Sequence, residues 1–237
     1  DGTTDSFLSF PYLYQLVTNY SNSRGNHQIL RIYDLTAPWR PVLTSFPTFA
    51  DYSLPASIEA KRIAVAGRYA YVAFQCSATC ANGNALRIID VSNPAISSAI
   101  PIPVVGGAGL TTGIPNATPV KILVRGRYAY MAFDAVGANA FRVIDVGDPA
   151  NPRVVAGAEL VSGMPAGSRP TDFEIVGRYA YMVFRCDPPN TPTYNCSASE
   201  AFRIIDLSGF SESGGSAEIH SLETDTLQVK GSADFDA

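Results

Sequence analysis

The amino-acid sequence predicts an all-β fold made of four repeats of one antiparallel sheet. The first observation behind this prediction is a pair of motifs that recurs four times, a Tyr-x-Tyr segment and, after a variable loop, an Arg-Ile-x-Asp segment. Both segments are short, with a period of two and many aromatic and β-branched residues, which is typical of strands. The second observation is that the sequence has no long amphipathic helical pattern. The sheets must therefore bury their faces against other sheets.

The four copies are regularly spaced, and the three later copies are the most alike. Their aspartates, Asp34, Asp90, Asp145 and Asp206, lie 56, 55 and 61 residues apart. A period of about 50 residues with several short strands in each unit indicates a β-propeller in which each unit is one blade. The Tyr-x-Tyr segments occupy residues 12–17, 69–74, 128–133 and 179–184, and the Arg-Ile-x-Asp segments occupy 30–35, 86–91, 141–146 and 202–207.

Each unit is predicted to contain four strands, of which the two motifs are the second and third. The Gly- and Pro-rich connections between units predict turns. In the second unit the predicted strands are 61–66, 69–76, 85–91 and about 100–105. In the first unit the outer strands are predicted at 6–10 and 41–46. In the last unit a turn at 211–216 precedes a predicted fourth strand at 217–222.

The motif pair also resembles a known family. The sequence GRYAYVAF at 67–74, followed by LRIIDVSNP at 86–94, resembles the LVIVD-repeat family of β-propellers, found in secreted or surface proteins of bacteria and archaea. The resemblance covers about residues 6–222 and implies a propeller in an extracellular setting, without catalytic residues. Such propellers usually have more than four blades. This chain therefore closes a four-bladed ring, forms part of a longer propeller, or is completed by other chains.

The end of the chain differs from the repeats, which divides the sequence into a propeller at 1–222 and a C-terminal extension at 223–237. Four apolar residues of the extension alternate with polar ones: Leu227, Val229, Ala233 and Phe235. This pattern resembles one rung of the repeats in trimeric bacterial and phage fibre stems. The alternative is a disordered terminus. An ordered lone strand must add to a sheet edge to satisfy its backbone groups. That edge belongs to this chain or to a neighbour.

Composition limits the classes of function. The 237 residues are 46% apolar and 16% charged, against about 25% charged in an average soluble protein. The formal net charge of −4 and the lack of a basic stripe argue against a nucleic-acid partner. No apolar run approaches the roughly 18 residues of a membrane span. Because the sequence begins at Asp1 without a methionine, we expect a processed chain or a fragment.

The four cysteines form two local pairs, each in the loop between the two motifs of one unit. Neighbouring strands hold the ends of such a loop together, which predicts disulfides Cys76–Cys80 and Cys186–Cys196. A zinc site is the alternative, but these loops have no histidine or second cysteine pair at metal-binding spacing. Disulfides indicate an oxidising compartment, and we expect an extracellular or cell-surface location.

The charged residues of the repeat are predicted to be structural. An aspartate that precedes a turn accepts hydrogen bonds from backbone N–H groups, and this role suits four copies better than metal binding does. For the arginines of Arg-Ile-x-Asp we expect hydrogen bonds to backbone carbonyls between strands or blades, with an anion-binding ring as the alternative. These arginines are Arg31, Arg87, Arg142 and Arg203. The turn arginines are interpreted as solvated: Arg68, Arg127 and Arg178. The innermost strands place Arg62, Lys121 and Asp172 at corresponding positions, and this mixed charge argues against one dedicated ion site.

The sequence predicts no catalytic residue, cofactor or metal. His27 and His220 are the only histidines, and the sequence lacks a Gly-x-Ser-x-Gly elbow, a His-Glu-x-x-His motif and a phosphate loop. Trp39, the only tryptophan, lies among prolines and is an interface anchor, a sugar-stacking platform or a cap on the blade edge. Asn19, Asn116 and Asn195 begin formal glycosylation sequons.

These features favour an extracellular structural or interaction protein, a propeller that assembles into a surface or fibre-like filament through its terminal strand. The expected partner is another copy or a surface component. The second hypothesis is a carbohydrate- or ligand-binding propeller that uses the loops at 18–28, 75–84, 134–140 and 185–200 as its rim. The third is a hydrolase at the channel mouth. The features particular to this chain are the cysteine loops, the segment around Trp39 and the residues after Leu222.

Overall fold

The computed structural model describes residues 2–19, 27–45, 59–75, 85–93, 104–107, 110, 118–135, 140–157, 160, 168–186 and 202–210. These residues form fifteen β-strands, and no helix occurs among them. The predicted all-β class is therefore confirmed.

The strands form four antiparallel sheets, each from consecutive strands in the order of the chain. We call them blades 1 to 4. Blade 1 consists of β1 (Gly2–Ser9), β2 (Tyr12–Asn19), β3 (His27–Asp34) and β4 (Val42–Ser45). Blade 2 consists of β5 (Glu59–Ala66), β6 (Tyr69–Gln75), β7 (Leu86–Asp90) and β8 (Val104–Gly106). Blade 3 consists of β9 (Pro119–Arg125), β10 (Tyr128–Phe133), β11 (Phe141–Asp145) and β12 (Arg153–Ala156).

Blade 4 has three strands in the described part of the chain: β13 (Ser168–Val176), β14 (Tyr179–Cys186) and β15 (Phe202–Asp206). The predicted fourth strand at 217–222 lies outside the described residues. In all four blades the Tyr-x-Tyr segment is the second strand and the Arg-Ile-x-Asp segment is the third. The repeat unit predicted from the sequence is thus one blade.

Tight hairpins join the first and second strands of the three later blades. Ala66 pairs with Tyr69 across the turn, so only Gly67 and Arg68 connect the strands. Gly67 has φ of +56°, in the left-handed region that glycine enters without a Cβ clash. The recurring Gly-Arg-Tyr sequence is therefore set by the geometry of this turn.

The alternation of side chains along each strand gives every blade two buried faces. We call the face toward the next blade in the chain the forward face and the opposite one the rear face. In blade 2, Tyr71 pairs with Ile88 on the forward face, and Ala70 pairs with Ile89 on the rear face. All four side chains are buried.

The core consists of three apolar clusters, each between consecutive blades. The forward face of blade 1 packs on the rear face of blade 2, and the same arrangement joins blades 2 and 3 and blades 3 and 4. The first strands β1, β5, β9 and β13 pack side by side in that order. Among the described residues, no cluster joins blade 4 to blade 1.

We predict that Phe141→Ala lowers the free energy of unfolding by about 3–5 kcal/mol, because the ring is fully buried between blades 3 and 4. Phe202 is the matched control: it holds the same register position in blade 4 but is 49% exposed. Phe202→Ala should cost about 1 kcal/mol or less. Urea unfolding of the dilute protein measures both values, and equal losses would contradict the assignment of the buried face.

Candidate interaction surface

The repeated aspartates fix the turn after each third strand. In every blade the Asp Oδ1 atom accepts a hydrogen bond from the backbone N–H two residues later, at 2.8–3.1 Å. These N–H groups belong to Thr36, Ser92, Gly147 and Ser208. The aspartates therefore act within their own blades.

The turn arginines also bind these aspartates. Arg68 donates to Asp90, and the Arg127 Nη2 atom lies 2.6 Å from Asp145 Oδ2. In blade 4 the Arg178–Asp206 distance is 3.1 Å. The interpretation of these arginines as solvated is incomplete: they are half-exposed, and each also links the first turn of its blade to the turn after the third strand. The sequence did not predict these pairs, because the two partners lie 18 to 28 positions apart in it. Only the fold brings the two turns of a blade together.

The ion pair lowers the pKa of the Asp90 carboxyl to about 2. Its largest cause is the hydrogen bond from Arg68, and further hydrogen bonds come from Ser92. The pKa of Asp145 is also lowered, first by the Arg127 hydrogen bond. In contrast, burial raises the pKa of the Tyr71 hydroxyl to about 12, with a smaller contribution from Tyr69. Tyr71 therefore stays neutral in the blade interface at physiological pH.

The arginines of the third strands are held differently. Arg87 is 1% exposed, and its Nη1 atom donates to the carbonyl oxygens of Leu86 at 3.0 Å and Gly107 at 3.1 Å. Gly107 has φ of +89°, and a Cβ there would overlap with the Leu86 carbonyl. The buried Arg142 of blade 3 likewise donates to the Phe141 carbonyl, at 2.6 Å. These guanidinium groups bind backbone inside the blades.

A series of polar links joins the first strands of neighbouring blades. Asp5 accepts from the backbone N–H of Ile63 at 2.9 Å, and Arg62 donates to the carbonyl of Val120 at 2.5 Å. Lys121 then forms ion pairs with Asp172 at 2.9 Å and with Glu174.

The donors and acceptors of this series occupy one register position. Asp5, Arg62, Lys121 and Asp172 each pair with the same position of their second strands. Sequence analysis aligned the last three and missed Asp5, since the first copy of the repeat is degenerate. Each of these charged side chains thus makes its own contact with the neighbouring blade, and they do not gather into one ion site.

The described residues contain no group of three or more His, Cys, Asp or Glu side chains that could hold a metal ion. No helix in the described part of the chain is long and apolar enough to cross a membrane.

Several predicted site residues lie outside the described residues: Cys76, Cys80, Cys196, Asn116, Asn195, His220, Leu227, Val229 and Phe235. The side chains of His27, Asn19 and Cys186 also lie outside the description, although their backbones belong to β3, β2 and β14. Both disulfides, all three sequons and the terminal strand therefore stay predictions.

Trp39 lies between β3 and β4, and its side chain is 87% exposed. A ring exposed to this degree covers little of the blade, which disfavours the interpretation as a cap. Its exposure suits a contact with another molecule.

The forward face of blade 4 is another exposed apolar surface. Val183, Phe202 and Ile204 are 39%, 49% and 57% exposed. They hold the register positions at which blade 3 has Ala132, Phe141 and Val143, all buried. The face therefore has the composition of a blade interface but no blade against it in the described structure.

The outer edge of blade 4 adds to this surface. The third strands β3, β7 and β11 each pair with a fourth strand, whereas β15 pairs only with β14 among the described residues. Unpaired edges of this kind can accept an added strand. The candidate site is thus the exposed edge and forward face of blade 4.

A family model for the LVIVD repeat matches residues 59–98 and 120–157. The matched segments begin in β5 and β9 and cover most of blades 2 and 3, so the resemblance noted from the sequence is confirmed there.

The fold is also similar to a solved structure, that of the major Malassezia sympodialis allergen Mala s 1. The TM-score is 0.45 with 10% identity, over 90% of this chain and 66% of that chain. No curated protein matches the sequence significantly.

We predict that the Arg68–Asp90 pair makes stability depend on acid pH. Because the pKa of Asp90 is about 2 in the folded state and about 3.9 in an unfolded chain, its contribution is complete above about pH 4 and falls as the pH drops toward 2. Asp90→Asn should be less stable at neutral pH and show a flatter fall in the free energy of unfolding over this range. Urea unfolding of both proteins at a series of pH values measures this pH dependence of the free energy of unfolding.

The control variant for this prediction is Arg68→Gln, which keeps the carboxylate and removes its main partner. An NMR titration should then find the pKa of Asp90 raised toward its ordinary value. A carboxyl that titrates near 3.9 in the unmodified protein would contradict the prediction.

Proposed function

We propose that this chain is an extracellular structural or interaction protein, in which the propeller blades form the body and the C-terminal segment joins it to a neighbour. The observation that carries the proposal is the incomplete blade 4. Its third strand, β15, pairs with β14 but with no fourth strand among the described residues, and two of its side chains, Phe202 and Ile204, are exposed. No catalysis is part of this function.

The position of Phe210 supports a role for the segment that follows it. Its backbone carbonyl accepts a hydrogen bond from the Tyr130 hydroxyl, and its ring lies edge-on against Tyr128 at 6.0 Å. Phe210 thus packs against the cluster between blades 3 and 4, and residues 211–237 follow it in the sequence. A strand formed by 217–222 would complete the edge of β15, and the extension at 223–237 would then add to a second edge.

The chemistry of this assembly is strand addition. Backbone N–H and C=O groups of an added strand supply affinity, and alternate side chains supply specificity. Leu227, Val229 and Phe235 alternate as one face of such a strand. The expected neighbour is another copy or a fibre or surface component. The low charge of the chain and its paired cysteines support an extracellular setting.

We predict that the double substitution Val229→Lys with Phe235→Lys abolishes association of the full chain, because the apolar face of the added strand is lost. Native mass spectrometry and light scattering measure the assembly. The matched control is Gln228→Lys with Ser232→Lys, which adds the same charge at the alternate, polar positions. Association that survives the first pair, or is lost equally with the control pair, would refute the proposal.

Trp39 supports a second candidate function, glycan binding, because its exposed ring can stack on a sugar. As the only tryptophan of the chain, it reports ligand contact directly through intrinsic fluorescence. We predict that a bound oligosaccharide shifts this fluorescence and that Trp39→Ala removes binding. A glycan array probed with the unmodified chain and with Trp39→Ala measures the binding. An array on which the two proteins bind alike would exclude a role for Trp39.

A further inference from the structure

We propose that the forward face of blade 4 docks on the rear face of blade 1 in a second copy of this chain. The two copies would then meet head to tail. This inference goes beyond strand addition by the C-terminal segment, since it uses the forward face of blade 4 rather than the outer edge of β15 and needs no residue after Phe210.

The first argument is that the forward face of blade 4 repeats the faces that are covered in the other blades. The Tyr181–Ile204 pair of blade 4 corresponds to Tyr130–Val143 of blade 3. The rings of Tyr181 and Phe202 lie 6.3 Å apart, much as the counterpart rings in blade 3 lie 6.5 Å apart. In blades 1 to 3 the partner of this face is always the rear face of a blade. The expected partner is therefore another rear face.

The second argument is that blade 1 presents such a face. Its rear positions hold Leu8 and Leu43, which are 60% and 42% exposed. Leu8 holds the register position of Val65 in blade 2, and Leu43 that of Val104. Val65 and Val104 both pack in the interface between blades 1 and 2. Blade 1 thus exposes apolar side chains at positions that are covered by a neighbouring blade in blade 2.

The third argument concerns which blade 1 is contacted. The three core clusters of the described residues run from blade 1 to blade 4, and none connects the two end blades. The strands β1 and β13 do not pack on each other as the other neighbouring first strands do. The two complementary faces are therefore at opposite ends of one chain. A second copy supplies the missing face without any rearrangement of the fold.

The rear face of blade 1 and the forward face of blade 4 also carry polar residues where other blades have apolar ones, and this composition suits a contact between separate molecules. On blade 1 the Tyr33 hydroxyl donates to Gln15 Oε1 at 3.4 Å, and these residues replace Ile89 and Val72 of blade 2. On blade 4, Glu174 is already paired with Lys121. Because these polar groups have partners within their own chain, apolar burial around them leaves no new unsatisfied group. Interfaces between separable proteins combine apolar and polar area in this way.

The first strands supply a polar link at the same junction. Asp172 holds the register position of Asp5, whose carboxylate accepts the backbone N–H of Ile63 in the next blade. The residue of blade 1 that corresponds to Ile63 is Ser6. The docked arrangement therefore brings Asp172 of one copy to the backbone N–H of Ser6 in the other.

A forward-to-rear contact is heterologous, so a dimer leaves one rear face unused on the first copy and one forward face unused on the second. This property gives a direct test with two variants of the full chain. Ile204→Lys puts a charge on the forward face only, and Leu8→Lys puts one on the rear face only. Each variant alone should weaken self-association at least about 30-fold, as expected when a charge must be buried. Mixed in equal amounts, they should restore one native contact and form a heterodimer.

The control is Val42→Lys, since Val42 is exposed and its counterpart in blade 3 is the exposed Arg153. This variant should associate as the unmodified chain does. Sedimentation velocity at up to about 100 µM measures the unmodified chain, the three variants and the mixture, and circular dichroism checks that each protein is folded. Heterodimer formation from two monomeric variants is the result that only complementary faces produce.

Two results would overturn the inference. One is an unmodified chain that stays monomeric at that concentration, and the other is Leu8→Lys associating normally while Ile204→Lys does not. Repeating the mixture with 223–237 deleted separates this inference from the proposed function. Heterodimer formation without the extension supports blade docking alone, whereas association that needs the extension and ignores both lysines supports strand addition alone.

Discussion

The structure depends on the burial of one blade face against the next. A single antiparallel sheet of this size leaves both apolar faces in water and is marginal by itself. Here Tyr71 and Ile88 of blade 2 are covered by blade 3, while Ala70 and Ile89 are covered by blade 1. Each internal blade is stabilised by two neighbours, so the array is cooperative along its length. Its two end faces are the places where this requirement stays unmet within the described chain.

The charged residues of the repeat serve this packing. Arg87 and Arg142 bind backbone carbonyls inside their blades, which satisfies acceptors that apolar packing leaves without water. The Arg68–Asp90 pair ties together two turns at one end of blade 2. A residue that recurs in every blade thus performs a task that every blade requires. A binding site for one ligand would need its residues only once.

Function is accordingly expected where the blades differ. Blade 4 differs by its exposed Val183, Phe202 and Ile204 and by the outer edge of β15, against which no fourth strand lies in the described part of the chain. Blade 1 differs by Leu8 and by polar replacements on its rear face. Both differences concern apolar positions that are buried against a neighbouring blade elsewhere in the structure, and the proposed assembly rests on them.

The sequence by itself determined the repeat, the strand order within each blade and the turn at Gly67, because these depend on local spacing and on side-chain alternation. It also placed Arg62, Lys121 and Asp172 at one register position. Only the tertiary structure decided which charges meet: Arg68 reaches Asp90 because a hairpin and a third strand end at the same edge. Only the tertiary structure, too, separated Phe141 from Phe202, which have the same motif and register. One is buried and the other exposed because burial depends on the neighbouring blade, and no local pattern records whether that neighbour is present.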